Sequence, residues 1–442
     1  MWQWDTTCWR EVERRYVVSR LYTFTEHAVY WDEVENGYEP WAPTRHRIGD
    51  LAEALSAICI LRDDIDQPCW LDGSRSKGVI VACANGLLQL EKRELLPHSP
   101  LFFNLVAVPF PYDPNAPSPV EWLTFLQKLW PGDNLDAEPA LDQPEIHVLG
   151  EWFGYVISGR LDLHKIMLMI GPTRGGKRII ARILGALIGP ANVAGPTLSS
   201  LGGEFGLAPL IGKVLAIVAD ARFAGRDNAI VVERLLSISG EDTFTVNRKF
   251  RDQWTGKLPC RLHVLSNEMP KLGDASAAII GRMVLLVLTH SWLGKEDFTL
   301  EERIQKELAG ILNWALDGLR RLTVANGNRF TRLPSAEESI AQMRDLASPI
   351  GAFVREECDV GAGYEIEVDV LYAAFKVWAE NNGHKKSSKQ VFGRDLHAAV
   401  PSLRKPQQRG TEKRRRVYSG IRLKRPGTED ANKTDPDYMA PE

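Results

Sequence analysis

The chain has 442 residues, 44% hydrophobic and 25% charged, with a formal net charge of −3. That composition excludes fibrous and disordered classes and allows about two to four globular cores. No apolar run approaches the roughly 18 residues of a bilayer span, the residues Met1-Trp2-Gln3-Trp4-Asp5 have no signal-peptide character, and six scattered cysteines without a Cys-x-x-Cys pair argue for a reducing cytosol rather than a zinc ribbon or disulfide framework.

Four sections follow in chain order: an N-terminal domain at 1–158, an α/β domain at 159–325, a small mixed domain at 345–424 and a polar, disordered tail at 426–442. In the first, Gly78–Ala84 and Leu87–Leu90 are separated by Asn85-Gly86 and read as a hairpin with a tight Asn-Gly turn. Pro109–Pro119 is a proline-rich linker or extended wrap. Helical stretches are expected over Val120–Trp130 and Ile146–Ser158.

In the second section, apolar strands alternate with helices, as in an α/β sheet domain. The strands are expected at Ile166–Ile170, Val214–Val218, Leu262–Leu265 and Met283–Leu288, with a helix over Arg178–Ile188. The third section offers an amphipathic helix at Val370–Asn381, a second at Ser388–Val400, and a strand pair formed by Arg416-Val417-Tyr418 and Ile421-Arg422-Leu423. It is also strongly basic: between Lys385 and Arg425, only Asp395 and Glu412 oppose the cationic side chains. Such a block is either a solvated face or a phosphate-binding surface.

The segment Gly171-Pro172-Thr173-Arg174-Gly175-Gly176-Lys177 fits G-x-x-x-x-G-K between a strand and a helix. Glycines there let backbone N–H groups curl round phosphates, the helix N-terminus adds partial positive charge, and Lys177 reaches the β/γ-phosphates. The residue after the lysine, whose hydroxyl holds Mg²⁺ in this motif, is Arg178, followed by Ile179; neither ligates a metal. Arg178 either contacts phosphate or lies solvated on the helix. Asp220 ends a buried strand and is placed to hold Mg²⁺ beside the loop, although Asp also ends many strands as a turn residue. Asn267, at the tip of Leu262–Ser266, suits water orientation or γ-phosphate sensing, or else forms a turn with Pro270. Arg282 heads a strand either as a surface arginine or as a finger acting on a neighbouring subunit's nucleotide. Between them, Glu241–Lys257 alternates like a strand and sets Arg248 and Lys249 beside Phe250 and Trp254. That mixture suits single-stranded nucleic acid, though an ordinary amphipathic hairpin looks the same.

The order Gly171–Lys177, Asp220, Glu241-Asp242 with Asn247-Arg248-Lys249, Ser266–Pro270, Arg282 resembles the superfamily 3 helicases. More narrowly, it is similar to the helicase half of phage and plasmid primase–helicases, related to the poxvirus NTPase of the same kind. Gly195–Leu198, Glu233–Asp242, Ile311–Leu316, His98-Ser99-Pro100 and Gly154-Tyr155 fit the same family. Leu371-Tyr372, Phe392-Gly393-Arg394 and Tyr418–Ile421 resemble its winged helix. The resemblance implies an AAA+-type α/β core with a mixed α+β domain before it and a winged helix after it. It further implies a cytoplasmic homo-hexamer in a bacterial host, taking ATP and Mg²⁺ and moving 3′→5′ on single-stranded DNA. Gly171, Pro172, Thr173, Arg174, Gly175, Gly176, Lys177 and Arg178 would then bind nucleotide. Lys177, Asp220, Asn267 and Arg282 take the catalytic roles, with Asp220 on the metal. Arg248 and Lys249 meet single-stranded DNA; Lys389, Arg394, Lys413, Arg414, Arg415 and Arg416 meet duplex. Family members usually carry a hydroxyl residue or Gly-Thr after the lysine, so Arg178-Ile179 sets turnover in question. No primase activity is assigned to this chain; a separate primase is an expected partner.

Three functions compete on this reading. The first is an ATP-dependent helicase in phage, plasmid or prophage replication. The second is a DNA-binding initiator or relic that binds nucleotide but hydrolyses it weakly. A third is a P-loop kinase or small-molecule NTPase with an unrelated DNA-binding tail.

Overall fold

The computed structural model describes all residues except 62–64, 66, 75–77, 132–142, 222–227, 271–275, 348, 385–386, 410–414 and 425–442. The expected tail at 426–442 therefore lies outside the described residues. The chain divides into two compact units, Met1–Pro270 with Arg282–Ala336, and Lys271–Gly281 with Glu337–Glu442. No helix among the described residues is long and apolar enough to cross a membrane.

The first unit opens with short strands, the helices Arg14–Thr25 and Arg45–Ile58, and an antiparallel sheet of Ile80–Cys83, Gly86–Gln89 and Glu94–Leu96. Cys83 pairs with Gly86, so the turn residues are Ala84-Asn85, one position earlier than the expected Asn-Gly turn. Packing explains the shift. A Cβ on Gly86 would lie 2.7 Å from the Leu96 carbonyl, so the glycine serves strand approach. Asn85 instead brackets the Tyr112 backbone, donating Nδ2–H to its carbonyl at 2.9 Å and accepting its N–H at 2.8 Å. This anchors the proline-rich wrap, which Asn313 also holds by donating to the Asp113 carbonyl at 2.9 Å.

The elements around the α/β sheet are α1 (Val120–Leu129), α2 (Pro144–Ile157), β1 (Ile166–Ile170), α3 (Lys177–Ile188), β2 (Val193–Ala194), β3 (Leu215–Val218), α4 (Asn228–Ser239), β4 (Thr243–Arg248), β5 (Arg251–Lys257), β6 (Arg261–Ser266), β7 (Met283–Val287) and α5 (Leu308–Arg320). Five strands form one parallel sheet in the order β2-β3-β6-β1-β7. Every residue of β1 and β6 is buried, as expected of central parallel strands covered on both faces. In α3, Ile180, Ile183, Leu184 and Leu187 recur at i, i+3, i+4 and i+7 and are fully buried.

α1 and α2, grouped by sequence with the N-terminal section, pack with α5. Trp122, Phe153 and Trp314 meet with ring centroids 5.5–5.6 Å apart. α2 and α5 approach closely through glycines: a Cβ on Gly318 would lie 2.2 Å from the Gly150 carbonyl carbon. The start of α1 lacks a side-chain cap of its own. Glu307 supplies one, its carboxylate accepting the Glu121 and Trp122 amides at 3.0 Å each, a favourable site for negative charge.

In the second unit, α6 (Pro349–Glu357), α7 (Val368–Asn381) and α8 (Lys389–Ala399) enclose Phe353, Phe375, Trp378 and Phe392. They accompany an antiparallel sheet of β8 (Cys358–Glu367), β9 (Arg404–Arg409) and β10 (Arg415–Leu423), in the order β8-β10-β9. The strand pair expected within Arg416–Leu423 is a correction: β10 is one continuous strand. Ser419-Gly420 looks like a turn, yet Ser419 pairs with Glu365 and Ile421 with Val360 across a register shift. The pairing absorbs the irregularity as a bulge, with Gly420 at φ 109°.

Candidate functional site

β1 ends at Ile170, level with Ser266 of β6. β6 in turn aligns with β3, Val264 opposite Val218. The loop Gly171–Gly176, the turn carrying Asp220 and the exposed Asn267 therefore leave the carboxyl ends of three neighbouring strands. The strand carrying Asn267 lies between the other two. In open α/β sheets, ligands sit at that edge where strand order reverses. Here the chain passes from central β1 to edge β2, returns through β3 and β6, and crosses to β7.

The loop is shaped from behind. Gly171 N–H donates to the Ser266 carbonyl at 3.2 Å, and Gly175 N–H to that of Pro172 at 3.1 Å. Ser291 donates to the Thr173 carbonyl at 2.8 Å, and Trp292 N–H to that of Arg174 at 3.2 Å. A Cβ on Gly171 would come within 2.6 Å of the Leu288 carbonyl. Gly176 has φ 89° and precedes α3, and a Cβ there would meet Leu129 at 2.9 Å. Both positions require glycine, the first for space and the second for conformation as well.

Lys177 is the first residue of α3 and is buried. Its ammonium donates to the carbonyls of Gly171 at 2.6 Å and Pro172 at 2.8 Å. Burial pushes its pKa down, and the nearby Asp220 carboxylate pushes it up. Arg174, at φ 61°, lies 3.4 Å from Glu296.

Arg178 points across to β3. Its Nη2 donates to Asp220 Oδ2 at 3.0 Å, and both side chains are more than half exposed. Asp220 adopts φ 51°, a left-handed conformation that Asp tolerates better than most residues. This donor set does not fit the usual Mg²⁺ arrangement of a P-loop. A guanidinium stands where the hydroxyl ligand belongs, and it engages the Asp220 carboxylate just beyond the strand tip. Among the described residues, no group of three His, Cys, Asp or Glu side chains is placed to hold a metal ion.

Ser266, which the sequence offered only as the first residue of Ser266–Pro270, joins the two strand tips. Its hydroxyl donates to the Ala221 carbonyl at 2.9 Å and is 2.6 Å from the Glu268 carbonyl oxygen. Only the pairing of β3 with β6 reveals that role. Arg282 faces α4: Nη1 donates to Ser239 Oγ at 2.9 Å and to the Leu236 carbonyl. It thereby satisfies groups at a helix C-terminus, where positive charge is favourable.

β4 and β5 form a hairpin whose tip is Lys249-Phe250, with Arg248 opposite Arg251. Phe250 is 93% exposed at φ 59°, and the Lys249 ammonium lies 5.3 Å from its ring centroid. Arg248 donates to the Asp252 carbonyl at 2.9 Å. In the second unit, Lys389 pairs with Asp369, and Arg394 with Asp395 at 2.7 Å. Arg416 is exposed on β10. Lys413, Arg414 and the side chain of Arg415 lie outside the described residues.

Three family models match in succession. Residues 1–131 match "D5 N terminal like", residues 169–282 a family of unknown function (DUF5906), and residues 347–422 "Poxvirus D5 protein-like". Both ends of the chain are thus similar to D5-type proteins. Within this D5-like chain, the loop, Asp220, the hairpin, Asn267 and Arg282 all fall in the stretch that matches the family of unknown function. Among solved structures, two apo structures of the NrS-1 C-terminal region are similar at 11% and 12% identity. Each match covers 70% of this chain and 77% of that one, with a TM-score of 0.44.

Proposed function

We propose that this D5-like protein is an ATP-driven DNA helicase of a phage, plasmid or prophage replication system, assembled as a homo-hexamer and moving 3′→5′. The observation that carries the reading is the order β3-β6-β1, which sets Lys177, Asp220 and Asn267 at one edge of the sheet. Similarity of both ends of the chain to D5-type proteins supports a role in DNA replication.

In this mechanism the backbone amides of Thr173, Arg174 and Gly176 and the start of α3 receive the phosphates, and Lys177 transfers its hydrogen bonds from carbonyls to phosphate oxygens. Asn267 orients the attacking water. Arg282 acts on the nucleotide of a neighbouring subunit, and to do so it must release Ser239 and Leu236. Phe250 and Lys249 offer one ring face and one charge to a single strand. The part of the second unit formed by α6, α7, α8 and the basic β10 serves as a winged helix on duplex DNA.

The test is nucleotide hydrolysis by the full chain with and without single-stranded DNA, followed by strand displacement. Stimulation by DNA supports the motor; bound nucleotide without turnover supports the initiator instead. The Arg178–Asp220 pair is the observation that favours this second reading.

A further inference from the structure

We propose that Arg178 neutralises the phosphates in place of a divalent cation, so that this site binds a nucleoside triphosphate without Mg²⁺. The inference deepens the nucleotide-site reading above and rests on it. Three observations converge. Arg178 is the second residue of α3, directly after Lys177, so its side chain starts at the helix end where phosphate would lie. Its guanidinium already occupies the space between that helix and Asp220, at 3.0 Å from Oδ2. Both partners are more than half exposed, with side-chain relative accessibilities of 61% and 65%.

The charge arrangement follows from these positions. A divalent cation on Asp220 would sit beside a guanidinium that already neutralises that carboxylate. No hydroxyl from residue 178 would complete the cation's coordination. A phosphate arriving at the loop meets the opposite situation. Exposed ion pairs are weak, so the guanidinium leaves Asp220 readily. Its planar fork then grips phosphate oxygens by two parallel hydrogen bonds, which a carboxylate pair at one contact does not use.

The experiment is equilibrium titration of the full chain with a fluorescent ATP analogue, once in MgCl₂ and once in EDTA. The expected result is dissociation constants within about threefold of each other. Arg178→Thr should bind at least roughly tenfold more weakly in EDTA than in MgCl₂. A tenfold or greater loss for the unmodified chain on removing Mg²⁺ would overturn the proposal, whatever the variant does. Absence of binding in both conditions would overturn the nucleotide site itself, a separate failure.

Discussion

The guanidinium of Arg178 and the carboxylate of Asp220 meet at 3.0 Å, joining the start of α3 to the turn after β3. One residue follows Lys177 at the start of α3, and the other follows β3, two strands from β1 in the sheet. On the proposed function, their contact would make turnover depend on what stands at position 178.

Arg178→Thr should free Asp220 and restore a hydroxyl beside it. Hydrolysis measured in MgCl₂ should rise by about tenfold or more, equivalent to roughly 1.4 kcal/mol of barrier. An unchanged rate would show that the arginine does not limit turnover.

Lys177→Ala should remove nucleotide binding while sparing binding of duplex DNA, because residues 347–422 fold in the other unit. The loss should reach about tenfold or more in the dissociation constant, from one charge-assisted phosphate contact. A variant that still unwinds DNA would remove the loop from the mechanism.

Phe250→Ala should weaken binding to single-stranded oligonucleotides. Stacking of one base is worth about 1–3 kcal/mol, so a loss of roughly fivefold to a hundredfold is expected. Since the ring is 93% exposed, its removal should leave thermal stability unchanged. Equal affinity for the variant and the parent chain would exclude the hairpin tip as a contact.

His263 sits fully buried in β6, accepting a hydrogen bond from Trp152 Nε1 at 3.2 Å. Burial alone lowers its pKa from 6.5 to about 3. Between those values the unfolded chain takes up a proton that the folded chain refuses, so this residue makes stability fall as pH falls. The slope contribution is about 1.4 kcal/mol per pH unit. His263→Gln, which keeps an acceptor for Trp152, should flatten the pH dependence of denaturant unfolding below pH 6.5. An identical slope in the variant would show that the imidazole is not the responsible group.

Gly318→Ala places a methyl against the Gly150 backbone, where its carbon would fall 2.2 Å from a carbonyl carbon. Helix backbones cannot move aside as a side chain can. Urea denaturation should show a loss of about 2–3 kcal/mol. Unchanged stability would mean that α2 and α5 do not approach as closely as described.

Signals that act over a few neighbouring residues were legible from the sequence. The glycines of 171–176 and the apolar run Ile166–Ile170 announced strand, loop and helix, because conformational freedom and continuous hydrophobicity are local properties. The hairpin at 243–257 showed itself in the same way, through alternation. The turns were harder to place. Asn85-Gly86 and Ser419-Gly420 both carry turn residues, but pairing with Leu96 and with β8 decided what each glycine does.

What only the tertiary structure decided is which distant residues share an edge. β6 enters the sheet between β1 and β3, although it follows both in the chain. Ser266 thereby ties Ala221, 45 residues away, and Glu307 caps α1 from 186 residues away. The Arg178–Asp220 pair spans 42 residues of sequence. Such contacts depend on strand order and loop closure, and no local window of residues encodes either. The residue types of the site were set by the sequence itself; their meeting was set by the parallel sheet that aligns three strand ends.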